Sequence, residues 1–208
     1  MSELVERAQL IAMIAHDAVG QKRKFTGESY WYHPRAVAEL IAKHTTDENL
    51  IAAAWVHDVP EDTGVGEGHI AAQLGLPVFN LVLDVTKQAP YGEGDSRNTL
   101  HEIKRQISMR TDSQLLKLCD IQCNIADMNP ACGMEFIIEW LPKKLAVVLG
   151  IKMNTPVYSV ICDETVQLAR TLVKRHFPML HSGRLYAEST HLLGRAMAFN
   201  PEEELADD

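Results

Sequence analysis

The sequence predicts an all-α protein, and three observations carry that expectation. Apolar residues recur at helical spacing, as in Val5, Ala8, Ile11, Ala12, Ala15 and Ala18. Glycine, proline and Asx residues punctuate the chain between such stripes, where helices start and stop. No run alternates apolar and polar residues in the manner of a half-buried strand.

The first helix is expected over 4–19. The polar stretch 20–32, with Gly20 and Gly27, reads as a loop. Pro34 fits a first helical turn, where its missing N–H does no harm, and Val37, Leu40 and Ile41 continue the period. Thr46 or Asp47 can cap the next helix, which runs through Leu50, Ile51, Ala54 and Trp55. Pro60 is expected to end it, placing His57 and Asp58 in its last turn. The Gly-rich loop 64–68 precedes a short helix that Gly75 stops, and Pro77 opens another through Leu81, Val82 and Val85. Residues 88–98 have loop chemistry and the length of a lid or substrate loop. Helices follow over 99–109 and 113–127, the second broken by Asn129-Pro130. A helix from about 134 to 149 contains Pro142, where a kink or break is expected. Pro156 opens a helix to about 175, and a last one covers 185–198 before an acidic tail expected to fray.

At 208 residues the chain suits one domain with an appended C-terminal segment, and it is long enough to bury a core. Hydrophobic residues make up 46% and charged residues 23%, a balance that predicts a folded chain rather than a disordered one. The net charge of −8 argues against a general nucleic-acid binder, which needs a basic face for phosphate. An anionic small molecule remains compatible where a metal and a few cations make a pocket locally positive. No run approaches a membrane span, and the N-terminal residues lack the basic-then-apolar form of a signal peptide. The four cysteines do not suit a small-protein disulfide framework, so a cytoplasmic chain with reduced thiols is expected. Cys119 and Cys123 stand four apart. Without a second Cys/His pair at finger-like spacing, they read as core residues rather than zinc ligands.

Chemistry concentrates in three segments: Tyr32-His33-Pro34, His57 to Thr63, and Leu118 to Asn124. Together His33, His57, Asp58 and Asp120 supply mixed imidazole and carboxylate donors, which suit manganese, iron or zinc. Each alone has an ordinary structural reading. His33 fits a surface or capping role, and His57-Asp58 fits a helix C-terminus beside a solvated aspartate. Their conjunction points to a cation, and a bound divalent ion can make hydroxide at neutral pH. Glu61 and Asp62 follow at once, on a turn expected to line the pocket. A carboxylate pair there can orient or deprotonate water and protonate a leaving oxygen. Lys117 and Asn124 share the helical stripe of Asp120.

At these residues the chain resembles the HD-domain metal phosphohydrolases. Within them it resembles the hydrolase module of RelA/SpoT-type (p)ppGpp enzymes, and above all the stand-alone small alarmone hydrolases. The superfamily pattern of His, His-Asp and Asp falls on His33, His57-Asp58 and Asp120. Gly-Gln-Lys-Arg-Lys at 20–24, with Gly27-Glu28-Ser29-Tyr30 and His33-Pro34, is similar to the family's basic substrate loop. Residues 52–63 resemble its His-Asp-x-x-Glu-Asp-Thr segment, and Asp84-Val85-Thr86-Lys87 a further short motif. Lys117-Leu118-Cys119-Asp120 with Asn124 resembles its Lys-Leu-Ala-Asp…Asn helix. The likeness spans 8–127. It departs at Pro60, at Ile121 where members often carry Arg, and at Ala126-Asp127 in place of a polar or basic pair.

The architecture expected is an HD-domain helical bundle over 1–150. Residues 151–208 read as a helical C-terminal extension of the same domain, with a tail fraying from about 199. The resemblance implies a manganese-dependent hydrolase, other divalent transition metals being compatible, that releases pyrophosphate from the 3′ position of (p)ppGpp. His33, His57, Asp58 and Asp120 would hold the metal, and Glu61 and Asp62 would activate water. Arg23, Lys24, Lys87, Lys117 and Asn124 would contact the nucleotide. An alternative is another nucleotide phosphatase, acting on NADPH or a nucleoside monophosphate. A second is a non-catalytic nucleotide-binding HD domain, against which the full ligand set speaks. The expected partner is a small nucleotide, with no nucleic-acid polymer and no membrane, and a homo-oligomer stays open.

Overall fold

The structure, a computed structural model, describes residues 2–200. It is all-α. Among the described residues no strand forms, and backbone pairing outside the helices is an isolated antiparallel bridge between Lys22 and Ser29.

The helices group into two compact units. The first, Met1–Thr86 with Arg110–Asp127, holds α1 (Glu3–Ala18), α2 (Tyr32–Ile41), α3 (Glu48–Val56), α4 (Val59–Asp62), α5 (Glu67–Val85) and α7 (Thr111–Ala126). The second, Lys87–Met109 with Met128–Asp208, holds α6 (Arg97–Ile107), α8 (Met134–Asn154), α9 (Ser159–His176) and α10 (Ser182–Ala198). The boundary expected at residue 150 lies inside α8.

In the first unit, α1 begins where Ser2 accepts from the Val5 amide, with Glu3 and Glu6 placed favourably against the helix dipole. Asp47 caps α3 by accepting from the Asn49 amide at 2.9 Å. α3 packs against α1, α2, α5 and α7 and buries Leu50 and every residue from Ala52 to Val56. Its three alanines keep it thin enough for that central place.

The end of α3 corrects the expectation at Pro60. The helix stops at Val56, His57 is its C-cap, and Asp58 opens the separate short helix α4 with Pro60 in its first turn. The reason is the reach of proline. It clashes with the carbonyl four residues back, here that of Val56, while a first turn accepts it without loss. His57 and Asp58 therefore sit at a junction between two helices.

α5 carries the expected break. Gly75 lies at φ 84°, ψ 165°, a positive-φ conformation outside the helical region, and Pro77 restarts the helix. By length and composition α5 as a whole could cross a membrane, contrary to expectation. The break leaves two pieces, each far below the roughly 20 residues a span needs, and Ile70, Leu74, Val78, Leu81, Val82 and Val85 are buried in the protein. Asp84 near its end accepts from Arg110 and from Ser113 at 2.6 Å, tying α5 to the start of α7.

In the second unit, residues 88–98 are braced internally. Asp95 holds Arg97 through both oxygens, Arg97 covers the Tyr91 ring at 4.7 Å, and the Asn98 side chain bonds the Tyr91 amide and the Gly92 carbonyl. The kink or break expected at Pro142 does not occur, since α8 stays helical throughout. Burial of Ile137, Leu141, Pro142, Leu145 and Val148 holds it against a local cost of about 3 kcal/mol. Phe199 is buried, and its carbonyl accepts from Lys104 at 2.5 Å. Residues 201–208 lie outside the described residues.

Candidate functional site

His33 enters from the first turn of α2, His57 and Asp58 from the α3–α4 junction, and Asp120 from the middle of α7. The fold brings all four together. The Asp58 Oδ2 atom lies 3.2 Å from His57 Nε2 and 3.6 Å from His33 Nε2. The Asp120 Oδ1 atom lies 3.2 Å from His33 Nε2 and 3.8 Å from His57 Nε2. One donor atom from each of His33, His57 and Asp58 falls within 4.8 Å of the others, a spacing able to hold a metal ion.

The tautomers test that fit. His57 Nδ1 faces the Ala54 carbonyl at 2.9 Å, so Nδ1 carries the proton and donates. The lone pair of Nε2 then points toward two carboxylates. That nitrogen is buried and makes no hydrogen bond. A lone pair and two carboxylates facing one another need a cation among them. Burial alone would lower the pKa of His57, but the charges of Asp58 and Asp120 outweigh it and lift it well above its usual value. Burial likewise opposes ionisation of Asp58 and Asp120. The histidines beside Asp58, and Lys117 with both histidines beside Asp120, hold the two carboxyls well below the usual range. The donor set thus suits a divalent cation bound by nitrogen and oxygen.

A shell of polar residues supports these four. Tyr30 donates to Asp58 Oδ2 at 2.8 Å. Burial, then the Asp58 charge, pushes the Tyr30 phenol far up, so it remains a donor. Lys117 Nζ contacts Asp120 Oδ2 at 3.0 Å, and Asn124 Nδ2 donates to Asp120 Oδ1 at 2.6 Å.

Arg23, expected at the nucleotide, is engaged inside the protein. Its Nε and Nη2 donate to Asp127 Oδ2 at 3.0 and 2.5 Å, and Nη2 also donates to Asn124 Oδ1 at 3.1 Å. Its guanidinium lies 5.5 Å from the Tyr30 ring centre. Nη1 takes part in none of these bonds. Asn124 thus bridges Arg23 to Asp120. Lys24 is exposed, with Nζ 5.2 Å from the Phe25 ring centre, and Lys87 is exposed at the start of the second unit.

Glu61 and Asp62 are exposed on α4, and Asp62 Oδ2 accepts from Gln21 Nε2 at 2.9 Å. Sequence reasoning missed His16, Gln21, Tyr30 and Asp127 as parts of this shell. Two signals were present. Asp127 stands three residues after Asn124 on the stripe of Asp120, and Tyr30 stands three before His33. Cys119 is buried, and burial lifts the Cys123 thiol to about 12.

Residues 8–125 match the family described as HD domain. A probable guanosine-3′,5′-bis(diphosphate) 3′-pyrophosphohydrolase of Synechocystis sp. is 42% identical over 77 residues, or 37% of this chain and 10% of that protein. The guanosine-3′,5′-bis(diphosphate) 3′-pyrophosphohydrolase of Haemophilus influenzae is 40% identical over 75 residues, 36% of this chain and 11% of its own length. The chain thus matches only about a tenth of the length of these curated relatives. A solved structure described as "A metazoan ortholog of SpoT hydrolyzes ppGpp and plays a role in starvation responses" shares the fold. Its TM-score is 0.69 at 22% identity, covering 80% of this chain and 96% of that one. The matched segment contains every one of the four converging donors, and this chain belongs to the HD-domain family.

Proposed function

We propose that this chain is a manganese-dependent phosphohydrolase that removes the 3′-diphosphate of (p)ppGpp, yielding GDP or GTP and pyrophosphate. The observation that carries the proposal is the convergence of His33, His57, Asp58 and Asp120, with an acidic pair one turn beyond. The substrate is supported by the names of the similar pyrophosphohydrolases. Free cysteines fit a cytoplasmic setting.

When bound, the ion supplies Lewis acidity and a lowered pKa for its water. The protein's residues do the rest. His33, His57, Asp58 and Asp120 hold the ion, with the His57 tautomer fixed by the Ala54 carbonyl. Glu61 and Asp62 divide the proton work: one takes a proton from the attacking water and the other returns one to the departing 3′ oxygen. Asn124 and Lys117 fix the orientation of Asp120. Arg23 offers Nη1 to substrate while its other nitrogens stay anchored on Asp127 and Asn124. Lys24 supplies further positive charge for a nucleotide with two separated anionic groups.

The test is a nucleotide panel with manganese, products identified by mass. Intact pyrophosphate from ppGpp, at a kcat/KM above that for GMP, AMP or NADPH, is the expected result. A higher kcat/KM for a mononucleotide or NADPH overturns the alarmone reading and leaves a different phosphatase. No turnover of any member by metal-loaded protein favours a non-catalytic binder.

A further inference from the structure

The segment after α1 is extended, and its side chains alternate. Gln21 and Arg23 are half-buried, whereas Lys22 and Lys24 are exposed. The Lys22–Ser29 bridge fixes that register. Gln21 is therefore presented inward, where its amide meets two partners. Nε2 donates to Asp62 Oδ2 at 2.9 Å, and Oε1 faces His16 Nδ1 at 2.6 Å.

The direction of this chain is forced. With the carboxamide reversed, its oxygen would oppose the Asp62 carboxylate, and its NH2 would have to use a lone pair of His16. As it stands, His16 Nδ1–H donates to Gln21 and Gln21 donates to Asp62. His16 is fully buried at the C-terminal end of α1, its ring 4.8 Å from that of Tyr30, so it has no room to swing away. Burial lowers its pKa, which keeps it neutral with the proton on Nδ1.

We propose that Gln21, locked by the buried His16, is a positioning residue for Asp62. This rests on the phosphohydrolase role assigned to Asp62. Asp62 is exposed on a four-residue helix, where a carboxylate would otherwise rotate freely. One oxygen is pinned by the amide. The other, Oδ1, carries no hydrogen bond among the described residues and remains for a water proton. A neutral amide pins the carboxylate without neutralising it, as an Arg or Lys partner would. Gln21 touches neither the converging donors nor, on this reading, the substrate, so its effect falls on turnover.

The experiment is a double-mutant cycle on metal-loaded protein with ppGpp. Gln21→Ala is expected to lower kcat by roughly ten- to a hundredfold, with KM and manganese content close to wild type and Tm lowered, because the buried His16 Nδ1–H loses its acceptor. In an Asp62→Asn background the same substitution is expected to cost nothing further. Gln21→Glu, which keeps the acceptor for His16 but sets a charge against Asp62, is expected to lose at least as much as Gln21→Ala. Additive losses in the double variant, a loss confined to KM or metal content, or wild-type turnover by Gln21→Glu each overturn the proposal. A second readout needs no turnover. The side-chain amide 15N resonance of Gln21 is expected to shift, and its protons to exchange faster, in Asp62→Asn. An unchanged resonance overturns the lock, whereas inactivity toward ppGpp with the shift present counts against the proposed substrate alone.

Discussion

At the scale of single residues, the acidic pair and the metal donors should separate in function. Glu61→Gln and Asp62→Asn follow the donors without belonging to them, so both variants should keep metal and lose roughly 10²–10⁴-fold in turnover. Wild-type rates in both would reduce the pair to a solvated turn. Arg23 has a second duty that its place in a basic motif did not reveal. Because it braces Asn124, which braces Asp120, Arg23→Ala should raise KM for ppGpp more than for a mononucleotide and also lower manganese occupancy. Occupancy unchanged in that variant, measured by metal analysis, would show that the bridge through Asn124 does not matter to the metal. His16 gives a pH signature. Burial lowers its folded-state pKa below 6.5, so its contribution to stability is fully present above pH 6.5. That contribution is lost as pH falls below 6.5 toward the folded value, because the unfolded chain takes the proton first. His16→Asn should therefore show a flatter fall in urea midpoint below pH 6.5 than wild type. Parallel curves would mean that His16 does not titrate differently on folding.

At the scale of elements, caps and breakers were legible because their chemistry is local. Asp47 acts through its side chain on an amide two residues on, and Gly75 within α5 and Pro156 before α9 act through their own backbone; the sequence offered Asp47 beside Thr46 and placed the other two. The α3–α4 junction was misplaced because a proline's clash reaches four residues back, and Pro142 misled because burial around it belongs to the tertiary fold. The inward set of the 20–31 loop was hidden for the same reason. Gln21 and Arg23 find partners 41 and 104 residues away. One close approach in the second unit was equally unreadable. A Cβ on Gly150 of α8 would stand 2.5 Å from Ile107 Cγ2 of α6 and 3.0 Å from Leu193 Cδ1 of α10. Helix propensity alone makes alanine the better residue there. The crowding reverses that preference, and Gly150→Ala should destabilise by about 1–3 kcal/mol, read from the urea midpoint. A midpoint at or above wild type would show that α6 and α10 give way without loss.

At the scale of the molecule, the sequence points to an all-α chain with four candidate metal donors but not to how its segments sort. Each unit is assembled from two separated stretches, and α7 joins α1–α5 only after the chain has left to build α6. No local pattern marks such an exchange. It matters to function because Asp120 arrives on α7, whereas His33, His57 and Asp58 arrive before residue 60. The donors lie close in the folded first unit and far apart along the unfolded chain. A cation held by all four therefore binds the folded state and adds stability by mass action, about 2.7 kcal/mol at a hundred times its dissociation constant. Manganese at that level should raise the wild-type Tm, and chelation should return it. In Asp58→Ala and Asp120→Ala the rise should vanish, since loss of one of four donors removes affinity and geometry together. The two variants carry different weight. Asp58 belongs to the tight three-residue cluster, and Asp120 reaches it only through its 3.2 and 3.8 Å approaches to the histidines. A manganese-dependent rise that survives in Asp120→Ala but not in Asp58→Ala would make α7 a brace for the site rather than a source of ligand.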